Sequence, residues 1–303
     1  MKVGYVALVG RPNVGKSTLL NKLLGQKVAI ISDKPQTTRT SILGIKTTDK
    51  GQIIFVDNPG IHRPLHSLNK RMMNFVYSAL ETSDLICLLI DATLRFGHGD
   101  QFVIDTLKNI STPIILLINK VDIVKKEKIL PLIDSYKDLM GFKEIIPISA
   151  LRGINVDILE EKIYEYLPEA EKIYADDEIS DQSIRFLLSE IIREKVLSHV
   201  REELPFVTAV YIDKIEDRTR ADESGKEKPK KYIEARIFVE KDTHRRIVIG
   251  RHGHLIKTIG TEARLEMEDI LEAKVFLDLV VRVKEKWRDS PDVLDLIEGQ
   301  KEG

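Results

Sequence analysis

The sequence predicts two domains of different class. The first is an α/β domain on a mostly parallel sheet with one antiparallel edge hairpin; the second is a smaller α+β domain. Three observations predict this. Short β-branched runs alternate with helical patterns up to about residue 167, the signature of βαβ units. Beyond Pro168 the order changes to helix, strand, strand, helix, helix, strand. And 303 residues exceed what one ordinary core occupies. The expected bounds are 1–170 for the first domain, 171–180 for an acidic connector around Ala175-Asp-Asp-Glu178, and 181–303 for the second.

In the first domain the expected strands are Gly4–Val9, Ser41–Thr47, Gln52–Val56, Leu85–Ile90, Ile114–Ile118 and Glu144–Ile148. The expected helices are Lys16–Leu24, Leu65–Thr82, Asp100–Asn109 and Val156–Leu167. Only Thr48-Asp-Lys-Gly51 separates the second and third strands, too short for a parallel crossover, so they form the hairpin. In the second domain Ser180 or Asp181 is expected to cap a long helix reaching about Glu203, before Pro205. Strands follow at Phe206–Ile212 and Tyr232–Lys241. The polar stretch Asp213–Lys231, with Gly225 and Pro229, reads as a mobile loop. A short helix, Gly250-Arg-His-Gly253, a helix to about Glu272, a strand at Lys274–Val283 and a final helix near Trp287 complete it.

Composition excludes several classes. A net charge of −1 argues against a globally basic polyanion binder, leaving local patches open. No apolar run approaches the ~20 residues of a membrane helix, and no targeting segment is visible, so a cytoplasmic location is expected. The one cysteine, Cys87, lies in an apolar run and reads as a buried spacer.

Gly10-Arg-Pro-Asn-Val-Gly-Lys-Ser17 follows a strand and opens a helix, the setting of a phosphate-binding loop. Its backbone N–H groups, from Gly10 through Asn13, Val14, Gly15 and on to Thr18, are placed to wrap phosphates at a helix N-terminus. Lys16 is expected on the β- and γ-phosphates, and the Ser17 hydroxyl on magnesium. Asp57-Asn-Pro-Gly60 ends a strand, where Asp57 can hold a magnesium-bound water and Gly60 can approach the γ-phosphate. Thr38, in the polar loop 32–40, is the candidate second magnesium hydroxyl, ordered when the γ-phosphate is present. Lys16, Thr38, Asp57 and Gly60 are thus the expected catalytic set.

The base is read from Asn119-Lys-Val-Asp122 and Ser149-Ala150, each after a strand. A carboxylate at Asp122 can accept from both the amide N–H and the amino group on one edge of guanine; adenine offers no such pair. Asn119 is expected to brace the loop and contact N7, Lys120 to lie across the ring, and the Ala150 N–H to donate to O6. Four motifs in this order predict a guanine-nucleotide P-loop domain. Ile61 stands where many GTPases place a water-orienting glutamine, so unaided hydrolysis is expected to be slow. His62 and His66 read as solvated side chains.

Helix, strand, strand, helix, Gly-X-X-Gly, helix, strand is the order of a KH module, here of type II. In such a module the Gly-X-X-Gly loop clamps the backbone of about four nucleotides. Gly250 and Gly253 allow close approach, with Arg251 and His252 toward phosphate and Lys257 alongside. From Lys241 to Gly260 five Lys or Arg stand against one acidic residue, and histidines sit at 244, 252 and 254. The positive charge is local, as a groove requires.

End to end, the chain resembles the Era family of ribosome-associated GTPases. The resemblance is carried by Gly10–Ser17, Gln36-Thr-Thr-Arg39, Asn119–Asp122, Ile148-Ser-Ala150, Glu190-Ile-Ile-Arg-Glu-Lys195 and Ile249-Gly-Arg-His-Gly253. It implies GTP hydrolysis with Mg2+, and binding near the 3′ end of small-subunit (16S) ribosomal RNA as a checkpoint of 30S assembly, with GTP favouring the RNA-bound state. It also implies an activating K+ held through Asn13. Asn58 departs from the threonine usual there. Peripheral membrane contact has been ascribed to such proteins without strong support in this sequence; a monomer is expected. Two other readings stay open: an RNA-binding protein whose nucleotide is structural, and a signalling GTPase whose second domain binds protein.

Overall fold

The computed structural model describes residues 1–218, 220–221, 227–228 and 230–301. It divides into two units, Met1–Leu65 with Asn69–Asp181, and His66–Leu68 with Gln182–Gly303.

In the first unit the strands are β1 (Lys2–Gly10), β2 (Ile42–Thr48), β3 (Gly51–Asp57), β4 (Leu85–Asp91), β5 (Ile114–Asn119) and β6 (Glu144–Pro147). They form one sheet in the order β2-β3-β1-β4-β5-β6, parallel except for β2, which pairs antiparallel with β3. β3 and β5 are buried throughout, and β4 nearly so, because helices cover both faces of such a sheet. The helices are α1 (Lys16–Leu24), α2 (Ser67–Thr82), α3 (His98–Leu107), α4 (Ile129–Tyr136) and α5 (Val156–Tyr166). The sequence pattern does not mark α4, because it contains Pro131; that residue falls within the first turn, where a missing N–H costs nothing. The register sets Leu8 beside Asp57, Gly10 beside Leu89 and Asp91 beside Asn119. Three motif-bearing strand ends therefore share one edge of the sheet, outside the carboxyl ends of the strands, where ligands of open α/β sheets bind. Fixing that edge is a core of Val9, Val56, Ile86, Leu88, Leu116 and their neighbours. Truncating a fully buried member such as Leu88 to alanine costs about 2–5 kcal/mol. Cys87 is buried within β4, and burial pushes its thiol up to about 12.

The connecting residues are hydrogen-bonded along this unit. Gln52, fully buried, receives the N–H groups of Ile173 and Tyr174 at 2.9 and 3.0 Å and donates to the Tyr174 carbonyl at 2.9 Å. The Ile45 N–H donates to the Ile179 carbonyl at 2.8 Å, and the Ser180 hydroxyl to the Leu43 carbonyl at 2.9 Å.

The second unit contains α6 (Ile184–His199), β7 (Ala209–Asp217), a two-residue pair β8 (Arg220–Ala221) and β9 (Glu227–Lys228), β10 (Lys230–Val239), α7 (Asp242–Ile249), α8 (His254–Leu271), β11 (Lys274–Val283) and α9 (Pro291–Glu298). The cap of α6 is Ser183, whose hydroxyl accepts from the Phe186 N–H at 3.1 Å, not Ser180 or Asp181. Those two are engaged with the backbone of Leu43. Both strands run further into the expected loop, to Asp217 and from Lys230; Gly225 and Pro229 lie outside the described residues. The sheet order β11-β10-β7, parallel then antiparallel, leaves one face for the helices. Ile191, Ile192, Ile233, Ile237, Ile259 and Met267 fill that interface. Trp287 is fully buried, its ring N–H on the Val207 carbonyl at 2.8 Å.

Candidate functional site

A cavity of about 490 Å3 opens at the shared edge of the first sheet. Lining it are Asn13, Gly15, Lys16, Ser17 and Thr18 from the phosphate-type loop and Thr38 and Gly60 from the loops beside it. Asn119, Lys120, Asp122 and Ala150 complete the wall. Gly10, Val14, Asp57 and Ser149 are not among its lining residues. Gly15 has φ 99°, and a side chain there would put a Cβ 2.3 Å from the Asn119 amide, so only glycine lets the loop close on that residue.

Lys16 is buried, its ammonium donating to the Arg11 carbonyl at 3.1 Å and approaching that of Gly10 at 3.5 Å. Burial pulls it down to about 8, opposed by the charge of Asp57. The Ser17 hydroxyl donates to Asp57 Oδ2 at 2.6 Å and lies 3.0 Å from Thr38 Oγ1. Asp57 has no solvent exposure; burial pushes its carboxyl up to about 6 against the pull of Lys16, Ser17 and Thr38. Its Oδ1 is buried without a hydrogen-bond partner. An orphaned carboxylate oxygen beside two hydroxyls is an all-oxygen set, which suits a small hard divalent cation.

At the opposite end Asn119 is a brace. Its amide N–H donates to the Val14 carbonyl at 2.7 Å and its oxygen accepts the Ala150 N–H at 2.9 Å. That N–H, expected on a guanine carbonyl, is therefore already engaged; a carbonyl in the cavity would have to share it. Ser149 is fully buried and accepts from the Arg152 N–H, holding the turn rather than facing the cavity. The Lys120 ammonium donates to the Asn13 carbonyl at 2.8 Å and to Asp91 at 2.6 Å. Burial pushes Asp91 up, but its bonds to Lys120 and Thr93 outweigh this and hold it below the usual carboxylate range.

Ile61 is 2% exposed and belongs to the core around Val9 and Val56, while its N–H donates to the Gly10 carbonyl. It anchors the chain just after Asp57-Asn-Pro-Gly60 to the core. His62 is not simply solvated: Nδ1 donates to the Gly60 carbonyl at 2.6 Å, and its Nε2 is buried without a hydrogen-bond partner.

In the second unit Gly250 has φ 75°, and a Cβ there would meet the Leu255 Cβ at 2.7 Å. Glycine is required for the turn from α7 into α8. Arg251 and His252 are exposed on it, His252 itself at φ 50°, and Gly253 follows. A shallow groove of about 290 Å3 runs beside α8, between Ile256, Lys257, Gly260 and Arg264 on the helix and Leu277 and Leu279 on β11. His244 does not join this surface: it is buried, its Nε2 3.7 Å from a Glu203 oxygen.

Two family models match the chain: one described as 50S ribosome-binding GTPase over residues 5–120, one as KH domain over 215–288. A solved structure of Era in complex with MgGDPNP and nucleotides 1506–1542 of 16S ribosomal RNA is 42% identical over 98% of each chain, with a TM-score of 0.91. The chain belongs to the Era family of GTPases. A variant of Aquifex aeolicus Era bound to GDP and aluminium fluoride is also 42% identical, over 98% of this chain and 99% of that one, with a TM-score of 0.90.

Three parts of this Era-type site escape sequence reasoning. Asp91 ends a strand without a motif around it. Arg11 fills a position that the phosphate-loop pattern leaves unspecified, yet its guanidinium reaches the buried Asp100 at 2.9 Å. Arg264 and the two β11 leucines flank the groove at a distance from Gly-X-X-Gly. For Leu277 and Leu279, alternation along β11 is the available signal.

Proposed function

We propose that the chain binds and hydrolyses GTP with Mg2+ and couples its nucleotide state to RNA near the 3′ end of 16S ribosomal RNA during 30S assembly. The observation that carries this is the end-to-end likeness to a relative whose complex holds MgGDPNP and 16S nucleotides 1506–1542. The 50S in one family description belongs to a model that matches only residues 5–120, so the longer match weighs more on the choice of RNA. Among the described residues no helix is long and apolar enough to cross a membrane, which is compatible with work on cytoplasmic ribosomal particles.

In this reading Asp122 selects guanine and Lys16 meets the phosphates. Ser17, Thr38 and, through water, Asp57 would hold Mg2+, which supplies charge neutralisation to the transferring phosphoryl group. Val14, Gly15 and Thr18 contribute backbone N–H groups; Gly60 gives access to the γ-phosphate. Ile61 has no polar atom to orient water, so another group must offset charge in the transition state. K+ beside Asn13 is our candidate. The Asn13 amide donates to the Asp33 carbonyl at 2.6 Å, so a side-chain amide and a main-chain oxygen already meet next to the phosphate end of the cavity. In the second unit Gly250, Arg251, His252, Gly253 and Lys257 clamp the RNA backbone, and the groove beyond takes bases.

Crosslinking RNA to the full chain in the GTP-analogue and GDP states and mapping the sites tests the proposal. The expected result is enrichment of the 16S 3′ end in the GTP-analogue state, at residues of the Gly250–Gly253 loop. Crosslinks scattered over ribosomal RNA, or none on the second unit, would overturn it.

A further inference from the structure

The segment between α1 and β2 is held at both ends by asparagine side chains. At its start Asn21 of α1 accepts the N–H groups of Val28 and Ala29 on Oδ1, at 2.9 and 3.0 Å, and donates to the Ala29 carbonyl at 2.8 Å. At its end the Ser41 hydroxyl donates to Asn58 Oδ1 at 2.8 Å. Asn58 is fully buried and its amide has one orientation available. Its N–H group donates to the Val56 carbonyl at 3.0 Å and reaches that of Leu8 at 3.5 Å. Turning the amide would set its oxygen against those carbonyls, so Oδ1 faces Ser41. Thr38 lies between the clamps, three residues before Ser41.

We propose that Asn21 and Asn58 are positioning residues that confine nucleotide-dependent movement to residues 30–40, and that the Ser41–Asn58 bond favours the triphosphate over the diphosphate. Ordering a loop on a ligand costs backbone entropy for every residue fixed. A loop pinned at Ser41 has less freedom to lose when Thr38 closes on the γ-phosphate, so more of the free protein is competent for GTP. GDP does not use Thr38 and gains nothing from the pin. The inference rests on the reading that Thr38 responds to the γ-phosphate.

The test measures affinities of the full chain for GDP and for a non-hydrolysable GTP analogue, with Mg2+ present. Ser41 is only partly buried, so its variants leave the core intact. Ser41→Ala should weaken the GTP analogue about three- to tenfold, the weight of one neutral hydrogen bond, and leave GDP within about twofold. Ser41→Thr keeps a hydroxyl and should restore the difference. Adding Ser41→Ala to Asn58→Ala should change the ratio no further than Asn58→Ala alone. Equal losses for both nucleotides, or no loss, would overturn the clamp; if Asn58→Ala fails to fold, the two Ser41 variants still decide. Thr38→Ala in the same assay separates the two ideas. Should it weaken both nucleotides alike, the underlying reading of Thr38 fails. Should it weaken only the GTP analogue while Ser41→Ala does not, the clamp alone fails.

Discussion

Replacing Arg251 and Lys257 together by glutamine gives the most quantitative check on the RNA surface. Arg251 is exposed on the Gly-X-X-Gly turn, and Lys257 is exposed one turn into α8, on the groove wall. Both substitutions remove the charge while keeping an unbranched polar side chain of similar helix propensity, and neither touches Gly250, so the turn stays formed. For a single strand, each phosphate that the protein ceases to neutralise lowers the log–log salt slope of binding by about 0.7. Two such phosphates make about 1.4. Across a fourfold rise in salt, from about 50 to 200 mM, the native protein should therefore lose about sevenfold more affinity than the variant. Fluorescence anisotropy with a single-stranded RNA from the 16S 3′ end, titrated at several salt concentrations, reads both numbers. A variant weaker at low salt but with an unchanged slope would mean that these side chains do not neutralise phosphates. The loop would then be a helix–helix turn only.

Asp122→Asn should move preference from guanosine to xanthosine nucleotides, read as the ratio of GTP to XTP turnover; a variant that still prefers GTP contradicts the base assignment. Turnover should be faster in K+ than in Na+, with the difference lost in Asn13→Ala, and equal rates in the two salts would remove the cation from the account. Mg2+-dependent nucleotide binding should fall as pH drops through about 6. There the raised Asp57 carboxyl takes up a proton that the metal must displace; binding should be level just above that pH and fall again as pH rises through about 8, where the Lys16 ammonium gives up its proton. Binding that holds down to about pH 4 would show a carboxyl of ordinary acidity.

The sheet and the order of motifs are legible because buried parallel strands are written as unbroken apolar runs, with function at their carboxyl ends. Leu85–Asp91 and Ile114–Asn119 show this directly. The edge hairpin follows from four residues between two strands. What stays hidden depends on partners distant in the chain. Nothing near Ser180 announces that it bonds the Leu43 carbonyl, so the local pattern makes it a helix cap, while the actual cap, Ser183, lies three residues on. Ile61 is legible as a missing glutamine, but its seat in the core is not, because a lone isoleucine in a loop has no period to betray a face. Local charge singles out Arg251, His252 and Lys257, all three of which are exposed. His244, counted in the same stretch, is buried, which follows from the helical face it shares with Val248.

The central claim is that guanine nucleotide and RNA report to each other through one chain. Linkage makes this testable without knowing the path. If GTP favours the RNA-bound state, RNA must favour the GTP state by the same factor. The measurement is the affinity for a 16S 3′-end RNA with saturating GTP analogue and with saturating GDP, paired with the affinity for each nucleotide with and without that RNA. The account predicts tighter RNA binding in the GTP-analogue state by at least about fivefold, and an equal shift in nucleotide preference when RNA is present. Identical RNA affinities in the two states would contradict it, leaving a GTPase and an RNA-binding module that share a chain without coupling.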